Sequence, residues 1–129
     1  MPALLLEASE LSSLMAQQNE FELILVDLGK QERFSNQHIP GAVLVTPAET
    51  QAPPPIPGLS PTVEQLTRLM QGIGLSKDSH VVVYDDEGGG WAGRFIWLLD
   101  EIGHKHYSYL NGGIHAWLDQ GLEVESGAS

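Results

Sequence analysis

Two runs of aliphatic residues organise the chain. Glu22-Leu23-Ile24-Leu25-Val26-Asp27 and His80-Val81-Val82-Val83-Tyr84 are apolar at consecutive rather than alternate positions, the pattern of strands covered on both faces. Two shorter runs read as further strands: Ala42-Val43-Leu44-Val45, entered through the turn Ile39-Pro40-Gly41, and Tyr107-Ser108-Tyr109-Leu110. Between them the period changes. Leu66, Leu69, Met70 and Ile73 recur at helical spacing, with Ser60 placed to cap, Pro61 suited to the first helical position and Gly72 or Gly74 to end the helix. Trp91 to Ile102 predicts a second helix, stopped by Gly103. Ile114 to Gln120 predicts a third, entered through Asn111-Gly112-Gly113 and stopped by Gly121.

Strands alternating with helices predict an α/β domain, a central parallel sheet with helices on both faces. In such sheets sites collect at the carboxyl ends of strands, where Asp27 and Asp85-Asp86 fall. The stretch Pro47 to Pro61 holds six of the eight prolines, so it is expected to be an extended loop laid over a surface and not an element. No internal repeat is visible. On a helical wheel Trp91, Phe95, Leu98, Leu99 and Ile102 share one face, and Trp97 lies outside it beside Arg94 and Glu101. A Trp there either packs on a neighbouring helix of the same domain or is left for another domain.

Length and charge narrow the classes of function. The 129 residues suit one domain, with its core from about residue 4 to 125, and a 42% hydrophobic share is that of a globular chain. Six Lys and Arg against 17 Asp and Glu give a net charge of −11, a field that repels nucleic acid and anionic membranes. The first thirteen residues lack the basic segment and long apolar run of a secretory signal, and nothing approaches the ~20 apolar residues of a membrane span. A cytoplasmic location is the default expectation. There is no cysteine anywhere, so neither disulfides nor thiol chemistry are open to this chain.

Three segments, in order, resemble the rhodanese family: Asp27 followed eleven residues later by His38-Ile39-Pro40-Gly41-Ala42; then Val81-Val82-Val83-Tyr84, a loop, and a helix carrying Ala92 and Arg94 and ending at Gly103-His104; then Leu110-Asn111-Gly112-Gly113-Ile114-His115-Ala116-Trp117. The resemblance spans nearly the whole chain and implies a rhodanese-like fold. In catalytic members a cysteine follows the central strand, where loop N–H groups and a helix N-terminus favour a thiolate carrying a sulfane sulfur. Asp85 stands there instead. The loop also differs, reaching Arg94 nine residues after Asp85 and carrying the consecutive acids Asp85-Asp86-Glu87. These acids would repel thiosulfate, and the long loop is expected to lack a tight anion-binding geometry, so replacing Asp85 by Cys is not expected to create an enzyme. The same departures are similar to those of the N-terminal domains of tandem thiosulfate and 3-mercaptopyruvate sulfurtransferases, which lack the cysteine.

Other readings of these residues are weaker. Asp85-Asp86-Glu87 as a metal or catalytic cluster competes with an ordinary acidic loop, because adjacent side chains seldom face one point. Gly88-Gly89-Gly90-Trp91-Ala92-Gly93 matches a dinucleotide fingerprint, but the acids before it would repel a pyrophosphate. A phosphoryl receiver with Asp85 as nucleophile needs a nearby lysine, and Lys105 comes before its strand, at the wrong end of the sheet. Neither a cofactor nor a bound metal is expected. Asp27 reads as a strand-end acceptor of loop N–H groups, His38 as a turn histidine, Arg94 as the partner of a loop carboxylate, and Gly112, Gly113 and Trp117 as turn and core. The resemblance adds that mercaptopyruvate-type N-terminal domains lend an Asp and a His to a shared site. That leaves Asp27, His38 and Arg94 as candidates for an interdomain site, and Trp97 for an interface.

The function expected is a non-catalytic rhodanese domain whose partner is a C-terminal catalytic domain in the same polypeptide, this chain ending where a linker would begin. The alternative is a stand-alone inactive module that binds a protein partner, a basic one given the acidity of the chain.

Overall fold

The computed structural model describes residues 2–17, 20–51 and 61–127. The elements run β1 (Leu5–Leu6), α1 (Ala8–Ala16), β2 (Glu22–Leu28), α2 (Gln31–Asn36), β3 (Val43–Val45), a single 3-10 turn (Pro47–Thr50), α3 (Val63–Gly72), β4 (Ser79–Asp85), α4 (Gly90–Glu101), β5 (Tyr107–Leu110) and α5 (Gly113–Asp119). The strands form one five-stranded sheet in the order β1-β5-β4-β2-β3, and every pairing is parallel. The α/β architecture is the one the strand and helix pattern predicts.

The two aliphatic runs become the central strands because only there are both faces covered. Alternate residues feed two separate cores. Leu25, Val82 and Tyr84 pack with Leu11 of α1, Phe34 of α2 and Ile114 and Trp117 of α5. Ile24, Val26, Leu28, Val81 and Val83 pack on the other side with Met70 of α3 and Phe95, Leu98 and Leu99 of α4. Helices α1, α2 and α5 therefore cover one face, and α3 and α4 the other.

Two helices, α1 and α2, add to the elements read from the sequence, and several local expectations are corrected. Helix α1 opens on an unusual capping box in which Glu7 and Glu10 exchange side-chain and backbone bonds. Its three serines dilute the apolar stripe that Leu11 and Leu14 begin. Helix α2 buries a single apolar side chain, Phe34, too little to show a period. Pro47–Thr50 is an element after all, the Thr50 hydroxyl donating to the Pro47 carbonyl at 2.6 Å. The rest of the proline-rich stretch, and the Ser60 cap expected in it, lie outside the described residues. Helix α3 starts at Val63, where Thr62 accepts the Gln65 N–H at 3.2 Å and Gln65 returns the bond to the Thr62 N–H at 2.8 Å. Ile102, placed on the buried face of α4 by the wheel, is 43% exposed because it caps the helix beyond the last turn the core covers.

Candidate functional site

Strand β4 ends at Asp85, and strand parity decides where its side chain goes. It has the same parity as Val81 and Val83, so it turns to the α4 face of the sheet. There it is 1% exposed. Its Oδ1 accepts N–H bonds from Glu87 at 3.2 Å and Gly89 at 2.9 Å, and its Oδ2 accepts one from Ala92 at 3.0 Å. Gly89, with φ +100°, is the N-cap of α4 and has no side chain to offer the first helical amides. Asp85 supplies the oxygen from four residues upstream, and its charge faces the positive end of the helix.

This corrects the expectation that the long loop lacks an anion-binding geometry. The loop does aim three N–H groups at one group, but they are spaced for the two oxygens of a planar carboxylate. Two glycines make it possible. Gly88 and Gly89 hold left-handed backbone that turns the amides inward. On the far side Gly113, at φ +58°, lets α5 approach so closely that a Cβ there would collide with the Asp85 carbonyl oxygen.

Asp27 sits one register step away, opposite Tyr84, while Leu28 lies opposite Asp85. That single step sends the Asp27 side chain to the other face of the sheet, so the two strand-end carboxylates do not share a pocket. Asp27, fully buried, is instead gripped by both terminal nitrogens of Arg33. The Arg33 Nε lies 3.2 Å from Asp86 Oδ2, and Nη1 also donates to the Gln37 carbonyl at 3.2 Å. The Nε–Asp86 contact is an ion pair without hydrogen-bond alignment, since that nitrogen makes no hydrogen bond in the structure. Burial works to lower the Arg33 pKa, and the bond and charge of Asp27, with the charge of Asp86, outweigh it and hold it above its ordinary value. Burial and the Asp27 charge likewise push the Tyr84 phenol upward. Its hydroxyl oxygen accepts the Ile39 N–H at 3.1 Å, tying β4 to the turn after α2.

The three consecutive acids thus point three ways, Asp85 to the helix amides, Asp86 to Arg33, and Glu87 to the indole N–H of Trp91 at 3.1 Å. Among the described residues no group of three or more His, Asp or Glu is arranged to hold a metal ion. The other candidates lie elsewhere. His38 is fully buried, its Nδ1 2.8 Å from the Phe34 carbonyl, its Nε2 3.2 Å from Glu125, its ring stacked on Phe34 at 3.9 Å. Arg94 donates from Nε to the Thr50 carbonyl at 3.2 Å and lies 4.9 Å over the Trp97 ring. The loop carboxylate Asp86 is met by Arg33. Two residues that sequence reasoning passed over therefore belong to this rim. One is Arg33, whose signal was a cation six residues after a strand-end acid, on the short helix that follows it. The other is His115, whose Nε2 lies 2.9 Å from the Asp86 carbonyl.

The model of the rhodanese-like domain matches residues 7–120. The chain belongs to the rhodanese-like domain family. Within this family it is similar to thiosulfate sulfurtransferases of Azotobacter vinelandii, 56% identical over 84% of this chain and 41% of that protein, and of Pseudomonas aeruginosa, 58% identical over 75% and 36%. A 3-mercaptopyruvate sulfurtransferase of Escherichia coli is 33% identical over 79% of this chain and 37% of its own length. The chain thus spans about two-fifths of the length of the curated relatives it matches. Among solved structures, a 3-mercaptopyruvate sulfotransferase of Escherichia coli superposes with a TM-score of 0.81 at 27% identity, covering 99% of this chain and 53% of that one. The 3-mercaptopyruvate sulfurtransferase of Leishmania major shares the fold with a TM-score of 0.82 at 23% identity, over 96% of this chain and 36% of that one. The rhodanese domain here has the five-stranded parallel sheet of the family, with the Asp85 carboxylate at the end of its central strand.

Proposed function

We propose that this rhodanese domain is the non-catalytic half of a two-domain sulfurtransferase, forming one wall of an interdomain cleft and stabilising a catalytic half that follows it in the same cytoplasmic polypeptide. The observation that carries the reading is the Asp85 carboxylate filling its own loop N–H cradle, in a chain without a single cysteine. A carboxylate cannot hold a persulfide, and no other thiol stands in. The span of about two-fifths of the relatives' length supports a missing half. By similarity, the whole protein would move a sulfane sulfur from thiosulfate or 3-mercaptopyruvate to a thiophilic acceptor through a cysteine persulfide on the other domain.

Asp27, His38 and Arg94 would then contribute mainly by shaping this half. Asp27 orients Arg33 and through it the Asp86 loop, while His38 locks α2 to the C-terminal segment. Arg94 steadies Trp97 and the turn at Thr50. No helix among the described residues is long and apolar enough to cross a membrane. Two experiments test the reading. The isolated chain should form no thiocyanate from thiosulfate and cyanide above background. The gene downstream of the Ser129 codon should encode a second domain with a cysteine after a Tyr-ending strand. A stop codon there would sink the proposal.

A further inference from the structure

The described residues include five exposed large apolar side chains. Two, Leu4 and Leu5, sit at the start of the chain, and the other three converge: Val63 at 83% exposure, Trp97 at 41% and Ile102 at 43% all line one groove between α3 and α4. The groove has a volume of about 540 Å³, and its floor is Leu66, Met70 and Leu98. Isolated exposed apolar residues need no explanation, but three gathered on a walled groove mark a contact surface. Two helices walling an apolar floor form the kind of seat that takes the apolar stripe of a third helix. A methionine in the floor lets the seat adjust to its occupant.

We propose that this groove docks the apolar face of a basic amphipathic helix from a partner protein. Charge selects the occupant. Glu101 is the one charged residue among those lining the groove, and the chain around it carries a net −11. A second copy would bring the same −11 to the contact, which disfavours self-association. The described end of this chain does not fill the groove either. The Gly127 N–H bonds the Ser35 carbonyl and Glu125 pairs with His38, both on the opposite, α2 side of the sheet. The inference stands on the groove alone and does not depend on the tandem reading.

The test uses the full 129-residue chain and a labelled synthetic peptide with leucines at helical spacing and lysines elsewhere, followed by fluorescence anisotropy. The Leu/Lys peptide should bind, and a Leu/Glu peptide of the same pattern should not. Ile102→Lys and Val63→Lys should each weaken binding by at least about tenfold, whereas Leu4→Lys, the same charge change away from the groove, should stay within about twofold. Both groove positions are exposed, so circular dichroism should show both variants folded. Equal weakening by Leu4→Lys, or unchanged binding in the groove variants, would reduce the effect to bulk charge and overturn the proposal. Concentration-dependent dimerisation abolished by Ile102→Lys would assign the groove to a second copy. Tighter peptide binding after replacing residues 52–60 with a Gly–Ser linker would assign it to that segment. Either result overturns it as well.

Discussion

The Asp85 carboxylate and the Ala92 amide, seven residues apart, share a 3.0 Å hydrogen bond that fastens the end of β4 to the first turn of α4. With the bonds from Glu87 and Gly89 it makes one side chain responsible for the whole loop. Asp85→Ala should therefore lower stability by about 2 kcal/mol, through loss of a charged cap and of partners for buried N–H groups. Asp85→Asn should lose about as much, because its amide nitrogen is a donor set against the Ala92 N–H or the Glu87 and Gly89 N–H groups. Urea unfolding checks this as a lower midpoint at unchanged slope.

Asp85→Cys should be folded but inactive. The amides are set for two oxygens, and Asp86 and Glu87 keep the entrance negative. Thiocyanate formation from thiosulfate and cyanide reads the outcome; turnover well above background would mean that three amides suffice and that the acidic loop matters little.

Arg33→Met leaves Asp27 fully buried without its counter-charge. Removing one partner of such a pair typically costs about 3–5 kcal/mol, discounted here because the Arg33 side chain is itself 21% exposed. We expect a loss of about 2–3 kcal/mol, only partly recovered by Arg33→Lys, whose single ammonium cannot grip both oxygens. Asp27→Asn combined with Arg33→Met should be more stable than Arg33→Met alone. A double-mutant cycle in urea measures the coupling.

Gly113→Ala should destabilise the fold by more than about 2 kcal/mol, because a Cβ meets the Asp85 carbonyl and the backbone is left-handed. Gly121→Ala, also left-handed but with open space around it, isolates the cost of backbone strain alone. The difference between their thermal midpoints gives the cost of the collision.

His80 gives a pH dependence. It is 2% exposed, its Nε2 lies 2.7 Å from the Ser108 hydroxyl and its Nδ1 has no hydrogen-bond partner in the structure. Burial, aided by the charges of His106 and His104, brings its pKa from 6.5 down to about 4. Between those values the unfolded chain takes up a proton that the folded chain refuses, so stability falls as the pH drops from about 6.5 to about 4. Other groups also titrate in this range, so the informative quantity is a comparison. Urea midpoints of His80→Phe should decline less over this window than those of the parent, and parallel declines would refute the assignment.

Much of the fold was legible because its central strands are hydrophobic throughout and its longer helices have a clear stripe. What escaped was held by contacts distant in sequence or by too few apolar residues. The short α2 owes its place to the Phe34–His38 stack and to the Arg33–Asp27 pair, neither of which leaves a period. Helix α1 hid behind its serines and an acidic cap. For the site, Asp85 was found from its position at the end of the central strand, and strand parity gives the face it turns to, whereas the directions of Asp86 and Glu87 are set by the loop beyond β4. The cation that meets Asp86 went unnoticed, because Arg33 is distant in sequence and only the fold brings it to the rim. The N–H cradle itself was invisible, since it depends on the left-handed turns at Gly88 and Gly89.

A cradle whose anion is covalently attached behaves unlike one that waits for a ligand. The carboxylate is present at an effective concentration that no free anion in solution can match. Thiosulfate, sulfite or phosphate then have no vacant seat in this loop, and none of them should raise the thermal midpoint by binding there. A loop completed by its own side chain needs no ligand to finish it, so its geometry should not change with the sulfur supply.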